Sequence, residues 1–280
     1  MYVGVYMALR ILYFDWTNIM QKKMAVLLCV LAPLFALLAY SLRVHEINSI
    51  FHPETGLADL WQMPSFLLMG LSAFVAALFF LLSRTVPKQM HPKFKRAFGE
   101  LSAITGLLSL LGVFVLLASA FATFGHVTGL VDLGFFIAWA IGGVLSGFCL
   151  MLYPILGARG KNVSILAAIP VFWLCMWLVL AHIRYAADPV LLRYVYYLFA
   201  IAFLLLALYF IASAAFTKGK APQLLFSAGM AVYFSGIAFA DARSLQEHII
   251  IGALALFVLS YSLLLLRHMK RSPEVSEKGE

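Results

Sequence analysis

Residues able to bind charged groups are concentrated in the segment that joins the fifth and sixth apolar runs of the chain. The segment holds an imidazole, two guanidinium groups and a carboxylate: His182, Arg184, Arg193 and Asp188. Asp188 directly precedes Pro189, a pattern typical of a helix N-cap at the positive end of the helix dipole. Arg193 falls inside the next apolar run, where it must reach the interface, pair with a carboxylate such as Asp188 or Asp241, or bind an anionic headgroup or substrate. Two interpretations therefore stay open, a structural ion pair and a ligand contact.

Patterns typical of catalysis or metal binding are absent from the sequence. It contains no GxSxG, no Walker-type glycine-rich loop, no HExxH and no pair of acids within an apolar run. Cys29, Cys149 and Cys175 lie in three different apolar runs without CxxC or Cys/His spacing, which is typical of small buried residues. The segment from Arg43 to Trp61 carries His45 and His52, which are seven positions apart, but Pro53 interrupts any helix there and the spacing is not of the HExxH type. We therefore predict a protein that is not an enzyme and that holds no metal or cofactor.

The composition indicates a membrane protein. Of the 280 residues, 64% are hydrophobic and 11% are charged, whereas soluble domains contain about 25% charged residues. A net charge of +8 would favour nucleic acid as the partner of a soluble protein, but here the basic residues lie in short segments between long apolar runs. We expect the lipid bilayer as the main partner and no nucleic acid, with a homo-oligomer or a larger complex as open alternatives.

Eight apolar runs are long enough to cross a bilayer as helices, which requires about 20 residues each. We predict spans at residues 24–42, 62–83, 101–124, 132–156, 163–183, 190–216, 222–240 and 247–266. The predicted fold class is therefore all-α, a polytopic transmembrane helix bundle of eight spans. An even number of spans also permits two parallel halves of four spans, at about 24–157 and 162–268.

The two ends of the chain differ in character from the spans. Residues 1–23 are apolar but contain Arg10 and Asp15 among aromatic residues, which predicts an interfacial helix rather than a span. No signal-peptide cleavage pattern is evident there, so we expect the first span to act as an uncleaved signal anchor. Residues 269–280 are polar and are predicted to form a disordered cytoplasmic tail.

The distribution of basic residues predicts the orientation of the bundle. Alternate connecting segments and the two ends hold 16 of the 20 Lys and Arg residues, including all ten lysines. The opposite loops hold four arginines: Arg43, Arg184, Arg193 and Arg243. Because short cytoplasmic loops are enriched in Lys and Arg, both termini are predicted to face the cytoplasm. No ionisable residue lies near the centre of any predicted span, which argues against a proton relay or ion pathway along the midplane.

Most histidines and acids lie on the predicted outer side. They number five of the seven histidines and seven of the twelve acids: His45, His52, His126, His182, His248, Glu46, Glu54, Asp59, Asp132, Asp188, Asp241 and Glu247. Two interpretations of this set stay open: solvated outer loops, which must contain polar residues, and a binding site at the outer face. The predicted ligand-binding residues, lining a vestibule open to the outer side, are His182, Arg184, Asp188, Arg193, Asp241 and His248.

One stretch of the sequence carries a resemblance. The residues IPVFWLCMWLVLAH at 169–182, followed by Arg184 and by DPVLLRYVY at 188–196, resemble a segment of uncharacterised multispan integral membrane proteins of anaerobic Gram-positive bacteria. The likeness covers mainly spans 5 to 8. It implies a bacterial plasma membrane and brings no known activity, so it assigns no role to any residue.

Two functions fit these observations. The first is an integral membrane protein that binds or translocates a small molecule or lipid through the outer vestibule. The second is a membrane anchor subunit of a redox or secretion complex, with quinol or a partner protein bound at the outer face. A visible absorption band or a co-purifying partner would favour the second, and a colourless, self-contained protein with a bound metabolite or lipid would favour the first.

Overall fold

The structure, a computed structural model, describes residues 23, 27–28, 30–49, 63–85, 102–122, 130–185, 190, 194–216 and 219–268. Within these ranges the chain forms eight helices. They are α1 Val30–Ser49, α2 Met63–Arg84, α3 Ser102–Ala122, α4 Leu130–Ala158, α5 Ser164–Tyr185, α6 Val195–Ala215, α7 Ala221–Ala238 and α8 Leu245–His268. The predicted interfacial helix, apart from residue 23, and the predicted tail lie outside the described residues.

All eight helices are long and apolar enough to cross a membrane, which confirms the predicted eight-span helical bundle. Pro222 lies in the first turn of α7, where its missing N–H removes no helical hydrogen bond. Within the described helices the charged side chains lie towards the helix ends, because a charge at the centre of a bilayer has a high desolvation cost. The orientation, with both termini in the cytoplasm, remains the prediction of the charge count.

The end of α1 differs from the prediction. The apolar run ends at Leu42, but the helix continues to Ser49. The extra residues include Arg43 and Glu46, which are three positions apart and therefore neighbours on one helix face. Both side chains are buried, so tertiary partners hold this polar turn in the bundle although its hydropathy predicts a loop.

Helix α7 is the central helix of the described bundle, since 72% of its residues are buried inside the protein. It packs against α2, α6 and α8, and it also meets α1 at Gly236. A Cβ atom at Gly236 would lie 2.6 Å from the Cβ of Ala36, so the absence of a side chain permits the close approach of α1 and α7. Helices from both predicted halves pack together, with α2 against α7 and α3 against α8.

A second close approach joins α3 and α4. The Gly143 and Gly147 pair forms a GxxxG pattern on α4, which is typical of tightly packed membrane helices. A Cβ atom at Gly147 would clash with the backbone of Leu116, and one at Gly143 would clash with Ser119. The pattern therefore serves packing within this chain.

The perimeter of the bundle is apolar. Large hydrophobic side chains are exposed on most helices, among them Leu37, Leu67, Phe121, Ile141 and Phe172. A soluble monomer rarely exposes an apolar surface of this extent. With the length and hydropathy of the helices, this surface defines the chain as a multi-pass integral membrane protein in contact with lipid.

Candidate functional site

A buried ion cluster lies at the end of the bundle that is predicted to face outwards. It consists of Arg43 and Glu46 of α1 and Asp241, which follows α7. The guanidinium of Arg43 donates to Asp241 Oδ1 from Nε at 3.0 Å and from Nη2 at 2.8 Å, and to Glu46 Oε2 from Nη1 at 2.7 Å. The antiparallel course of successive spans explains the meeting, because α1 ends and α7 ends on the same side of the bundle.

The cluster is enclosed by side chains from α2 and α6. Ser65, in the first turn of α2, donates to Glu46 Oε1 at 2.7 Å, so both carboxylate oxygens of Glu46 are bonded. The ring of Tyr196, in the first turn of α6, lies under the Arg43 guanidinium at 5.0 Å from its centroid, a cation–π contact. Arg43 and Glu46 are 1% and 0% exposed. Four helix ends are thus joined around one arginine.

Asp241 is the acid of the ion cluster with one carboxylate oxygen that accepts no hydrogen bond from the described residues. Its Oδ1 accepts both bonds from Arg43, whereas its Oδ2 is buried and has no hydrogen-bond partner among the described residues. The residue is 6% exposed. Burial raises the pKa of Asp241 above its usual value, and the nearby charges of Arg43 and Arg243 offset part of this increase.

The turn between α7 and α8 fixes Asp241 in place. The Asp241 N–H donates to the carbonyl of Ala238 at 3.2 Å, and the Asp241 carbonyl accepts from the N–H of Arg243 at 2.9 Å. Ser244 Oγ then accepts from the N–H of Glu247 at 3.3 Å, as an N-cap does for the third residue of a helix. The local sequence thus ends one helix and starts the next with Asp241 between them.

Beside the ion cluster lies an aromatic cluster, which we define as Trp139, Trp173, Trp177, Tyr185, Tyr194 and Tyr197. Its tyrosines contact a second guanidinium, because Arg243 lies over the ring of Tyr185 at 4.3 Å and over that of Tyr197 at 4.5 Å. Tyr185 stacks on Tyr194 with ring centroids 5.5 Å apart. Two arginines at this end of the bundle are therefore held against tyrosine rings.

The tryptophans extend the aromatic cluster towards the middle of the bundle. Trp177 lies 5.2 Å from Trp173 and 5.5 Å from Trp139, measured between ring centroids. The indole N–H of Trp177 donates to the hydroxyl of Tyr197 at 3.1 Å, and that of Trp173 donates to the carbonyl of Trp139 at 2.9 Å. The three tryptophan rings pack against one another as buried side chains, and two of their indole groups donate hydrogen bonds within the cluster.

The residues predicted as ligand-binding from the sequence fall in different places. Asp241 belongs to the ion cluster, and Arg184 is exposed with its guanidinium 5.9 Å from the ring of Tyr185. His182 is exposed. His248 is half-buried and stacks on Phe239 at 5.5 Å, and its Nε2 has no hydrogen-bond partner among the described residues. Asp188 and Arg193 lie outside the described residues.

Sequence reasoning missed Arg43 and Glu46 as site residues and treated them as loop residues. The available signal was an arginine and a glutamate at helical spacing directly after an apolar run. The sequence also suggested Asp241 as one possible partner for Arg193, which lies outside the described residues. The structure pairs Asp241 with Arg43 at 2.8 Å. The pairing spans 198 positions of sequence, which local spacing does not encode.

Among the described residues no group of three or more His, Cys, Asp and Glu side chains could hold a metal ion. The arrangement can instead form ion pairs, hydrogen bonds and stacking contacts with a ligand. Comparisons of the chain with models of protein families, with curated proteins and with solved structures found no match.

Proposed function

We propose that this membrane protein binds or translocates a small molecule or lipid at its predicted outer end. The observation that carries the proposal is the convergence of the buried ion cluster and the aromatic cluster at one end of an otherwise apolar bundle. Ligand sites between helices combine apolar and aromatic walls with a few convergent polar groups. Ionisable side chains inside a membrane protein usually mark such a site or a pathway.

The energetics of buried charge support a role beyond folding. Removing two carboxylates and a guanidinium from water costs several kcal/mol per ion, and well-packed apolar residues in their place are often neutral or stabilising. The ion cluster therefore adds little to the stability of the fold beyond what apolar side chains in the same positions would provide. Recognition of a polar ligand is a function that apolar side chains cannot supply.

Each part of the site would contribute a different contact. The second oxygen of Asp241 would accept a hydrogen bond from the ligand once the surrounding turn opens. The tyrosine rings around Arg243 would stack on an apolar or cationic part of the ligand. Arg184, which is exposed at the same end, would attract an anionic headgroup. The proposed vestibule also includes four residues that are assigned to it from the sequence alone: His182, His248, Asp188 and Arg193.

We further propose that the protein lies in a bacterial plasma membrane, which rests on the sequence resemblance of spans 5 to 8. A role as an anchor subunit of a redox or secretion complex is the competing function. It predicts a protein partner or a cofactor held at a fixed ratio, whereas a binding protein or transporter predicts a retained metabolite or lipid.

Native mass spectrometry of the purified chain tests the proposal. We expect a discrete mass retained by the wild type, reduced at least tenfold in Asp241→Asn, and unchanged in Glu247→Gln. Glu247 is the matched control because it is an acid at the same end of the bundle and is not one of the two carboxylates that pair with Arg43 in the ion cluster. No specific mass on the wild type, or equal retention in Asp241→Asn, would refute the proposal. A partner at a fixed ratio would support the anchor function instead.

A further inference from the structure

We propose that Asp241 is a proton-binding site at the predicted outer end of the bundle, with the proton held on the oxygen that Arg43 does not contact. This goes beyond the proposed function and does not depend on it, since proton binding requires no other ligand. The steps below rest on the hydrogen bonds, the burial and the charges around this carboxylate.

The hydrogen bonds leave one position open in the ion cluster. Both oxygens of Glu46 have donors, Ser65 on one and Arg43 on the other. Asp241 Oδ1 receives two donors from Arg43, and Asp241 Oδ2 receives none from the described residues while being buried. A buried carboxylate oxygen without a donor bears the desolvation cost of a charged group without compensation. A proton on Oδ2 removes that cost.

The burial of Asp241 and its lack of neighbouring ligands favour a proton over a metal ion. Asp241 is 6% exposed, and its Oδ2 is buried without a hydrogen-bond partner among the described residues. A metal ion would also need several oxygen ligands, and the described residues contain no group of three or more candidate ligands. A proton binds a single oxygen and occupies no additional volume.

The charged and titratable groups that face Asp241 come from α1, from α6 and from the turn between α7 and α8. Arg43 and Glu46 approach from α1, the ring of Tyr196 from α6, and Arg243 from the adjoining turn. Two carboxylates share the guanidinium of Arg43 inside the ion cluster, and Arg243 is half-buried over tyrosine rings. Burial and the negative charge of Glu46 favour the protonated form of Asp241, whereas the charges of Arg43 and Arg243 oppose it. Of the two acids, Asp241 is the one with an oxygen that receives no donor from the described residues, because both oxygens of Glu46 are bonded.

Proton uptake changes the connection between α1 and α7. The balanced step is Asp241–COO⁻ plus H⁺ giving Asp241–COOH, with no other bond broken. Of the two carboxylates of the ion cluster, only that of Glu46, on the same helix as Arg43, then stays charged, and the bonds of Arg43 to Asp241 become bonds to a neutral group. Arg43 can still donate hydrogen bonds to the neutral carboxyl group, but the Coulomb attraction between opposite charges on α1 and the α7–α8 turn is lost. Protonation from the outer side would therefore loosen the junction of α1 with the α7–α8 turn.

Infrared difference spectroscopy of the full chain in lipid bilayers, titrated with pH and without added ligand, tests this site. We expect a protonated-carboxyl band that persists above the usual pH range of an aspartic acid, disappears in Asp241→Asn and remains in Glu247→Gln. In Glu46→Gln the midpoint should fall by at least about one pH unit, a tenfold weaker proton affinity, because the negative charge of Glu46 no longer opposes ionisation of Asp241.

A second variant covers the case in which Asp241→Asn does not fold. Asp241→Glu keeps a carboxyl group and should move both the band and its midpoint. No band above the usual pH range in the wild type, or a band that is the same in the wild type and Asp241→Glu, would overturn the proposal. Loss of ligand retention with the band intact would instead count against the proposed function alone.

Discussion

Replacement of Arg43 by methionine is the sharpest perturbation of this structure. The substitution keeps most of the apolar length of the side chain but removes a guanidinium that makes three hydrogen bonds of 2.7 to 3.0 Å to two carboxylates. Glu46 and Asp241, 0% and 6% exposed, would then lie buried and repel each other. Removing one partner of a buried ion pair costs about 3–5 kcal/mol.

The loss corresponds to roughly a hundred- to several-thousand-fold decrease in the folding equilibrium constant, since each 1.4 kcal/mol is about a factor of ten. Reversible unfolding in mixed detergent micelles measures this difference. Arg184→Met is the matched control, because Arg184 is exposed at the same end and surface substitutions usually change stability by less than about 0.5 kcal/mol.

Two outcomes distinguish the alternatives. A cost for Arg43→Met well above that of Arg184→Met supports the buried ion cluster, and lowering the pH should recover part of the loss as the carboxylates become protonated. A cost below about 1 kcal/mol, typical of a solvated surface ion pair, would refute the placement of Arg43 in the core.

Three further predictions concern other parts of the structure. The pKa of Asp241 lies above its usual value of 3.8, so the folded protein binds this proton more tightly than the unfolded chain. The free energy of unfolding should therefore fall as pH rises from about 3.8 towards the folded pKa. The difference in free energy of unfolding between wild type and Asp241→Asn should change over this pH range, and a constant difference would contradict the prediction. Gly236→Val should cost about 1–3 kcal/mol by forcing α1 and α7 apart, whereas Gly70→Ala, with nothing within 4 Å of its added Cβ, should change the unfolding midpoint little; equal effects would be inconsistent with the close approach. Tyr197→Phe should cost about 1–3 kcal/mol, because the buried indole N–H of Trp177 loses its acceptor. Thermal unfolding measures this cost, with Tyr209→Phe, at an exposed tyrosine, as the control. Equal unfolding midpoints for the two variants would contradict the prediction.

Much of the fold could be predicted because membrane spans are encoded locally. Lipid offers no hydrogen bonds to the backbone, so each span must be a long apolar helix that hydropathy alone reveals. Eight such runs were predicted and all eight form helices. The predicted end at Leu42 was wrong because hydropathy describes a residue's preference for lipid, whereas α1 continues to Ser49 among protein partners.

The ion cluster could be predicted only in part. Asp241 is recognisable as an acid at a span end, but its pairing with Arg43 depends on how α1 packs against α7. That packing uses small residues such as Ala36 and Gly236, where a Cβ atom added to Gly236 would lie only 2.6 Å from the Cβ of Ala36. Nothing in the sequence around either residue indicates which helix it packs against. The contact of Arg243 with Tyr185 and Tyr197 depends in the same way on the packing of α5 against α6.

The central claim is that the ion cluster serves recognition rather than folding, and one variant tests it most directly. Arg43→Met, Glu46→Leu and Asp241→Leu combined in one chain replace every charge of the cluster by an apolar side chain. Native mass spectrometry at increasing collision energy reports ligand retention and integrity of this variant in one experiment. We predict a protein as stable as the wild type, or more stable, that retains no ligand. A variant that keeps the ligand, or one that no longer folds, would contradict the account.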